Sequence, residues 1–132
     1  MRKTTVLLAA ALVLAGCDSA PVKEIQQTFR EAFQGSKGEA DLNAGLRSYE
    51  NGNYNEAMKQ LQSALDQGLT KSGQLQAYKH LAFIHCASGR QGPCRSEFRK
   101  ALTIDPAFDL TPAEAGHPLW GPVFAKEKAR AR

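Results

Sequence analysis

The chain has 132 residues, 42% of them hydrophobic, with 17 basic and 13 acidic side chains. A chain of this length forms one small domain and has no room for a second core. The small basic excess gives no basis for predicting nucleic-acid binding, which depends on basic residues gathered on one surface.

The N-terminal end has the pattern of a secretory signal peptide. Arg2 and Lys3 precede an apolar run from Val6 to Ala15. This run is too short to cross about 30 Å of hydrocarbon as a helix, and a small residue follows it. We therefore predict that residues 1–16 are a signal peptide, which is removed from the mature protein.

A cysteine stands directly after this segment. The sequence LAGC, which ends at Cys17, resembles the lipobox of bacterial lipoproteins. The resemblance implies that Cys17 carries lipid, that residues 17–21 form a lipidated tether, and that the protein faces the periplasm from a membrane of the cell envelope. Asp18 resembles the inner-membrane retention signal of enteric bacteria and favours the inner over the outer membrane. The alternative is an ordinary signal peptide that contains a cysteine.

Residues 22–132 are predicted to form a single helical domain. Between Val22 and Phe33, apolar residues recur at three- and four-residue steps, which is the period of an amphipathic helix. Residues 35–38 contain two glycines and end this helix. We expect the helix to cover one end of the domain.

The middle of the chain contains an internal repeat. The segment from Gly45 to Leu65 aligns without a gap on the segment from Ala82 to Leu102, and small residues align with small ones. The first unit resembles the tetratricopeptide repeat at Ala44-Gly45, Asn51-Gly52-Asn53-Tyr54, Glu56-Ala57, Leu61 and Ala64-Leu65. The second ends in Ile104-Asp105-Pro106, which resembles the end of that repeat, where proline stops a helix. The resemblance implies two helical hairpins, at about residues 38–71 and 75–108.

The offset between the two units exceeds the period of about 34 residues that is typical of this family. We place the surplus in a longer turn between the repeats, at residues 68–73. Two repeats alone rarely bury their open faces, so both ends of the domain need covering. The predicted fold is therefore all-α, with about two tetratricopeptide-like hairpins between an N-terminal capping helix and a C-terminal cap.

The C-terminal cap, residues 109–132, is rich in proline and aromatic residues. Thr111, Pro112 and Glu114 have the pattern of a helix start with a capping box, which predicts one short helix. Trp120 either covers the last hairpin or serves as a docking anchor for a partner.

The sequence contains few residues suited to catalysis or metal binding. His85, Cys86 and Cys94 could supply three zinc ligands, but no fourth ligand has suitable spacing. Adjacent helical residues point about 100° apart, so His85 and Cys86 cannot act as a base and nucleophile pair. Motifs for phosphate binding, zinc proteases and serine hydrolases are absent from the sequence. We predict no enzymatic activity, no metal, no cofactor and no small-molecule substrate.

Two cysteines remain once Cys17 is assigned to lipid. Cys86 and Cys94 form an even pair in an oxidising compartment, and the repeat alignment places them on helices that face each other. We predict a disulfide between them. The alternative is two buried free thiols that act as small hydrophobic residues.

The tetratricopeptide resemblance also implies a partner groove, because in this family the first helix of each hairpin lines a concave surface that holds peptide segments. Carried onto this chain, the groove positions are Leu42, Leu46, Tyr49, Glu50, Lys79 and Phe83. The alternative is that the N-terminal helix or the tail of the protein fills this groove.

The lipobox, the repeats and the tail PAEAGHPLWGPVF together resemble the small lipoproteins of bacterial type VI secretion loci, the TssQ family. The resemblance implies a protein-interaction adaptor or assembly factor for an envelope-spanning complex, with other envelope or secretion-system proteins as partners. The alternative is a pilotin-like lipoprotein that assists the assembly of a secretin, a pilus or another envelope complex.

Replacement of Cys17 by serine tests the predicted anchor. Because the lipobox ends at Cys17, Cys17→Ser should abolish labelling of the protein by a radiolabelled fatty acid and release a soluble or unprocessed form. Membrane fractionation of the two proteins measures the change. A mutant that partitions with membranes as the unchanged protein does would place the anchor elsewhere.

Overall fold

The structure is a computed structural model that describes residues 36–131. The predicted signal peptide, the lipidation site Cys17 and the helix of residues 22–33 lie outside the described residues. Within residues 36–131 the chain is all-α and has no strand, as predicted. Its helices are α1 (Glu39–Glu50), α2 (Tyr54–Gln67), α3 (Lys71–Ala87), α4 (Gln91–Ile104), α5 (Pro112–Ala115) and α6 (Gly121–Arg130). In this part of the chain no helix is long and apolar enough to span a membrane.

The first four helices form two packed pairs, α1 with α2 and α3 with α4, and both pairs are joined by the same kind of turn. Asn53 N–H donates to the Ser48 carbonyl in the first turn, and Arg90 N–H donates to the His85 carbonyl in the second, both at 2.8 Å. Each turn contains a glycine in the left-handed region, where a Cβ would be strained. These are Gly52, with φ 77°, and Gly89, with φ 72°.

In both pairs the two helices approach each other closely at positions with small side chains. A Cβ on Gly45 would lie 2.8 Å from the Leu61 Cγ, so α1 approaches α2 closely only because this residue is glycine. Ala57 and Ala64 complete the contact and are fully buried. The aligned positions of the second pair, also buried, are Ala82, Cys94, Phe98 and Ala101. The repeat in the sequence is therefore also a repeat of buried packing.

The link between the two pairs is shorter than the sequence analysis predicted. Instead of a long turn over residues 68–73, α3 already begins at Lys71 and runs for 17 residues. Thr70 starts it, because its side-chain oxygen accepts a hydrogen bond from Gly73 N–H at 3.1 Å. The surplus residues of the longer period therefore add a helical turn to α3.

The core consists of two clusters of buried side chains. The first lies between α1, α2 and α3 and contains Leu42, Ala57, Leu61, Ala64, Leu69, Ala77, Leu81 and Ile84. The second joins α3 and α4 to the C-terminal segment and contains Ala82, Phe83, Cys86, Cys94, Phe98, Leu102, Leu110 and Phe124. Tyr49 packs against both clusters and so connects them.

Cys86 and Cys94, the pair that the sequence analysis selected, are joined as a disulfide in the structure. Their Cα atoms are 5.2 Å apart, and both side chains are buried at the turn between α3 and α4. The two residues are separated by eight positions in the sequence, and closing so short a loop is worth about 2.5 kcal/mol in the chain-entropy view. The bridge therefore fixes the second helix pair.

The C-terminal segment packs on the second helix pair through aromatic residues. The Phe124 ring of α6 lies edge-on to Phe98 and Phe108, with centroid distances of 5.2 and 5.8 Å. The Lys128 ammonium donates to the Phe108 carbonyl at 2.8 Å. A side chain of α6 thus binds the backbone that precedes it and holds the segment against α4.

Glu127 of α6 is a carboxylate inside this contact, with only 1% of its surface exposed. Arg99 Nε lies 3.3 Å from its Oε2, and Arg130 Nη1 lies 3.2 Å from its Oε1. A buried carboxylate is costly unless it is paired. The two guanidinium groups provide this pairing, one from α4 and one from α6.

A matched pair of glycine substitutions tests how α6 packs. Gly121 opens α6, and a Cβ there would overlap the Ala115 carbonyl oxygen of α5. We expect Gly121→Ala to lower the free energy of unfolding by about 1–3 kcal/mol, as overpacking does. A Cβ on Gly92, near the start of α4, would point into open space.

The Gly92→Ala variant is the control, and it should raise the stability by about 0.4–1 kcal/mol because it restricts the unfolded chain. Urea denaturation measures both changes. Equal effects of the two substitutions would contradict the close contact between α5 and α6.

Candidate interaction face

The first helices of the two pairs, α1 and α3, pack side by side, and the predicted partner groove lies on them. We call this surface the α1–α3 face. It comprises the predicted groove residues and two aromatic residues beside them: Leu42, Leu46, Tyr49, Glu50, Tyr54, Lys79, His80 and Phe83.

Two of the predicted groove residues do not contribute to the surface of this face. Leu42 is 4% exposed and packs in the first core cluster, and Phe83 is 2% exposed and packs in the second. Leu42 points toward α2 and α3, while Phe83 lies beneath the C-terminal segment. For Phe83 the structure favours the alternative in which the protein's own tail covers the groove position.

Trp120 is the residue that covers Phe83. The two rings are stacked, with centroids 4.3 Å apart and planes inclined by 21°. The Trp120 Nε1–H donates to the Glu114 carbonyl at 2.9 Å. The Trp120 ring also stacks on His117, which lies three residues earlier in the tail. An indole whose N–H is satisfied and whose ring is packed serves as part of the fold. The structure therefore places Trp120 in the covering role rather than as a free anchor.

An ion pair fastens the same segment to α3. Lys79 Nζ lies 2.7 Å from Glu114 Oε1, and the two side chains are only 16% and 23% exposed. The other carboxylate oxygen, Oε2, accepts the Thr111 backbone N–H at 2.9 Å and completes the predicted capping box of α5. Lys79 is thus a groove residue that is already occupied by the tail.

The charge of Glu114 is favoured in the folded protein. Partial burial opposes ionisation, but the Lys79 ammonium and the Thr111 backbone N–H outweigh it and hold the pKa of Glu114 below its ordinary value of 4.5. Because this pKa is depressed by folding, the contribution of Glu114 to stability is present at neutral pH and is lost as the pH falls through its folded pKa.

The remaining rings of the face, those of Tyr54, Tyr49 and His80, are at least partly exposed and form a row that the tail, residues 109–131, does not cover; we call them the open part of the face. Tyr54, at the start of α2, is 42% exposed, and its centroid lies 5.6 Å from that of Tyr49. Tyr49 in turn lies 4.9 Å from His80, and His80 lies 5.8 Å from Phe83. The open part of the face therefore continues directly into the part that the tail covers.

His80 is a member of this row that the sequence analysis did not assign to the groove. Its Nδ1 lies 2.8 Å from the Gln76 carbonyl, which can only accept, so Nδ1 carries the proton in this contact. Burial lowers the pKa of His80 below its ordinary value of 6.5. The ring is therefore neutral at pH 7. Its four-residue spacing from Gln76 and its place one residue after Lys79 were the available signals.

Glu50 follows Tyr49 in the chain and lies near enough to His80 for its charge to act on that ring, and its carboxylate has no hydrogen bond or ion pair among residues 36–131. It is the last residue of α1, where the helix dipole disfavours a negative charge. Arg47, one turn earlier, is exposed and makes no ion pair with it. Glu50 therefore does not stabilise the described fold through any polar contact.

A separate cleft of about 730 Å³ lies between α2 and the second helix pair and includes His85 and Glu97. Its walls include Met58 and Leu81. His85 is the residue considered above as a zinc ligand, but the two sulfurs considered with it are joined to each other. This cleft shares no residue with the open part of the α1–α3 face.

Comparison with protein-family models, with curated proteins and with solved structures finds no match to this chain. The proposal for its function therefore rests on the chemistry of the α1–α3 face and on the sequence motifs.

Truncation of Trp120 tests its covering role. We expect Trp120→Ala to lower the free energy of unfolding by about 3 kcal/mol, because the stack on Phe83 and the hydrogen bond to Glu114 are both lost. The neighbouring Leu119 is 47% exposed, and Leu119→Ala should change stability by less than about 0.5 kcal/mol. Chemical denaturation measures both. If the Trp120→Ala protein is as stable as the unchanged one, Trp120 does not cover the last hairpin, and the docking-anchor alternative is favoured.

Proposed function

We propose that this protein is a membrane-anchored, periplasm-facing adaptor that binds another envelope protein through the open part of the α1–α3 face. It would serve in assembling or anchoring an envelope-spanning complex, of which a type VI secretion system is our first choice. The observation that carries the proposal is the row of the exposed Tyr54 and the partly buried Tyr49 and His80, with the carboxylate of Glu50 unpaired among residues 36–131. Aromatic residues of this kind are enriched at protein interfaces.

The arrangement of the helices supports a repeat-type adaptor. The two pairs share their turn hydrogen bonds, their left-handed glycines and their buried small positions. We propose that they are tetratricopeptide-type repeats, in which the first helices present the binding surface. In this protein those helices are α1 and α3.

The sequence motifs support the proposed location. The signal-peptide pattern and the LAGC sequence at Cys17 are the basis for a lipid anchor. The Cys86–Cys94 bridge fits an oxidising compartment such as the periplasm. The tail PAEAGHPLWGPVF and the overall layout are the basis for the link to type VI secretion lipoproteins.

Site-specific photocrosslinking in the native bacterium tests the proposed function. The photoreactive amino acid benzoylphenylalanine replaces Tyr54, which is exposed and aromatic, so the substitution leaves the core intact. We expect one envelope protein, identified by mass spectrometry, to crosslink at this position. The control position is Lys59 of α2, whose side chain is 78% exposed.

The identity of the crosslinked protein decides between the assemblies. A component of a secretion sheath, baseplate or membrane complex supports the first choice, whereas a secretin or pilus component supports the pilotin-like alternative. Equal crosslinking at positions 54 and 59, or none at position 54, would contradict an interaction through this face.

A further inference from the structure

We propose that the open part of the α1–α3 face recognises a basic side chain of its partner, preferably arginine, which stacks on the Tyr49 and Tyr54 rings and pairs with Glu50. This inference rests on the proposed function and names the chemistry of the segment that the face binds. It depends on the charge of the face, on the geometry of its rings and on the way in which the occupied part holds the tail.

Glu50 supplies the charge. Its carboxylate is exposed and unpaired among the described residues, and it stands at the end of α1 where the helix dipole opposes it. The lysine of the face, Lys79, is paired with Glu114 at 2.7 Å. Neither Lys79 nor Arg47 pairs with Glu50 in the structure, so its carboxylate is available to a cation from a partner.

The rings beside Glu50 suit a guanidinium group. Tyr49 and Tyr54 are tilted by 45° at a centroid distance of 5.6 Å, and Tyr54 presents a large exposed surface. Guanidinium groups stack on aromatic faces while their N–H groups remain free to bind a carboxylate. Arginine can make both contacts at once, whereas lysine offers a single point charge.

The electrostatics of the row do not oppose a cation. His80 is neutral at pH 7, because burial lowers its pKa. It therefore extends the aromatic surface without adding a positive charge next to Glu50. A positively charged imidazole at this place would compete with an arginine for the carboxylate.

The occupied part of the face shows the same mode of binding with the opposite polarity. There, Phe83 of the face stacks on Trp120 of the tail, and Lys79 of the face pairs with Glu114 of the tail. The face thus combines ring stacking with one ion pair. In the open part it supplies the rings and the carboxylate, so the complementary segment supplies the cation.

A pair of blocked peptides provides the test. The mature protein is titrated with acetyl-Leu-Arg-Trp-Leu-amide and with the same peptide in which citrulline, which is neutral and isosteric, replaces arginine. NMR shifts of the Tyr49, Tyr54 and His80 rings report where binding occurs. We expect the arginine peptide to bind about five-fold more tightly than the citrulline peptide, as expected of one exposed cation–π contact with one exposed ion pair.

Two variants assign the preference to a residue. In Glu50→Gln the preference for arginine should fall to about two-fold, because the ion pair is lost while the cation–π contact remains. Glu56→Gln removes another exposed carboxylate, 54% exposed at the start of α2, and should leave the preference unchanged. A reduced preference in both variants, or in neither, would overturn the role of Glu50.

Other results would overturn the inference, and all but self-association through Glu50 would leave the proposed function standing. If the two peptides bind equally, or if the shifts avoid the three rings, the open face does not select a cation. If Glu50→Gln abolishes self-association seen by ultracentrifugation, the occupant is a second copy of this chain. Photocrosslinking from position 54 that is unchanged in Glu50→Gln would leave the adaptor function standing and reject arginine recognition.

Discussion

The stacking of Trp120 on Phe83 is the contact on which the arrangement of the C-terminal segment depends. Phe83 belongs to α3 and also packs edge-on against Phe98 of α4, so one ring connects the second helix pair to the tail. Because aromatic side chains bury large areas, this contact holds the tail against α3. Trp120 lies between α5 and α6, so the stack holds the junction of these two helices against α3.

Ion pairs between the C-terminal segment and the helices α3 and α4 accompany this apolar packing. Lys79 and Glu114 join α5 to α3, while Glu127 lies between Arg99 of α4 and Arg130 of α6. Ion pairs of this kind contribute little net stability, but removal of one partner leaves a buried charge uncompensated. The apolar stack therefore supplies most of the binding energy of the tail, and the ion pairs select its position along α3.

Local patterns in the sequence predicted the helices and turns. Which part of the α1–α3 face is covered depends instead on packing between residues far apart in the chain. The repeat alignment placed the two glycine turns, and the capping box at Thr111 and Glu114 predicted α5. The prediction of a long link between the repeats was wrong, because Thr70 caps α3 and this helix already begins at Lys71. The sequence left open whether the tail covers Phe83. Lys79 and Glu114 are 35 positions apart, and no periodic pattern links residues at that distance.

The opposite charges of the two parts of the face explain why the tail covers one part and leaves the other open. A tail shifted along α3 toward α1 would bring Glu114 nearer to Glu50 and away from Lys79, which replaces an attraction with a repulsion. Tyr49, His80 and Phe83 follow one another at centroid distances of 4.9 and 5.8 Å, so aromatic surface is present in both parts of the face. Charge thus favours the observed position of the tail, and the Glu50 carboxylate remains available to a basic group from another protein.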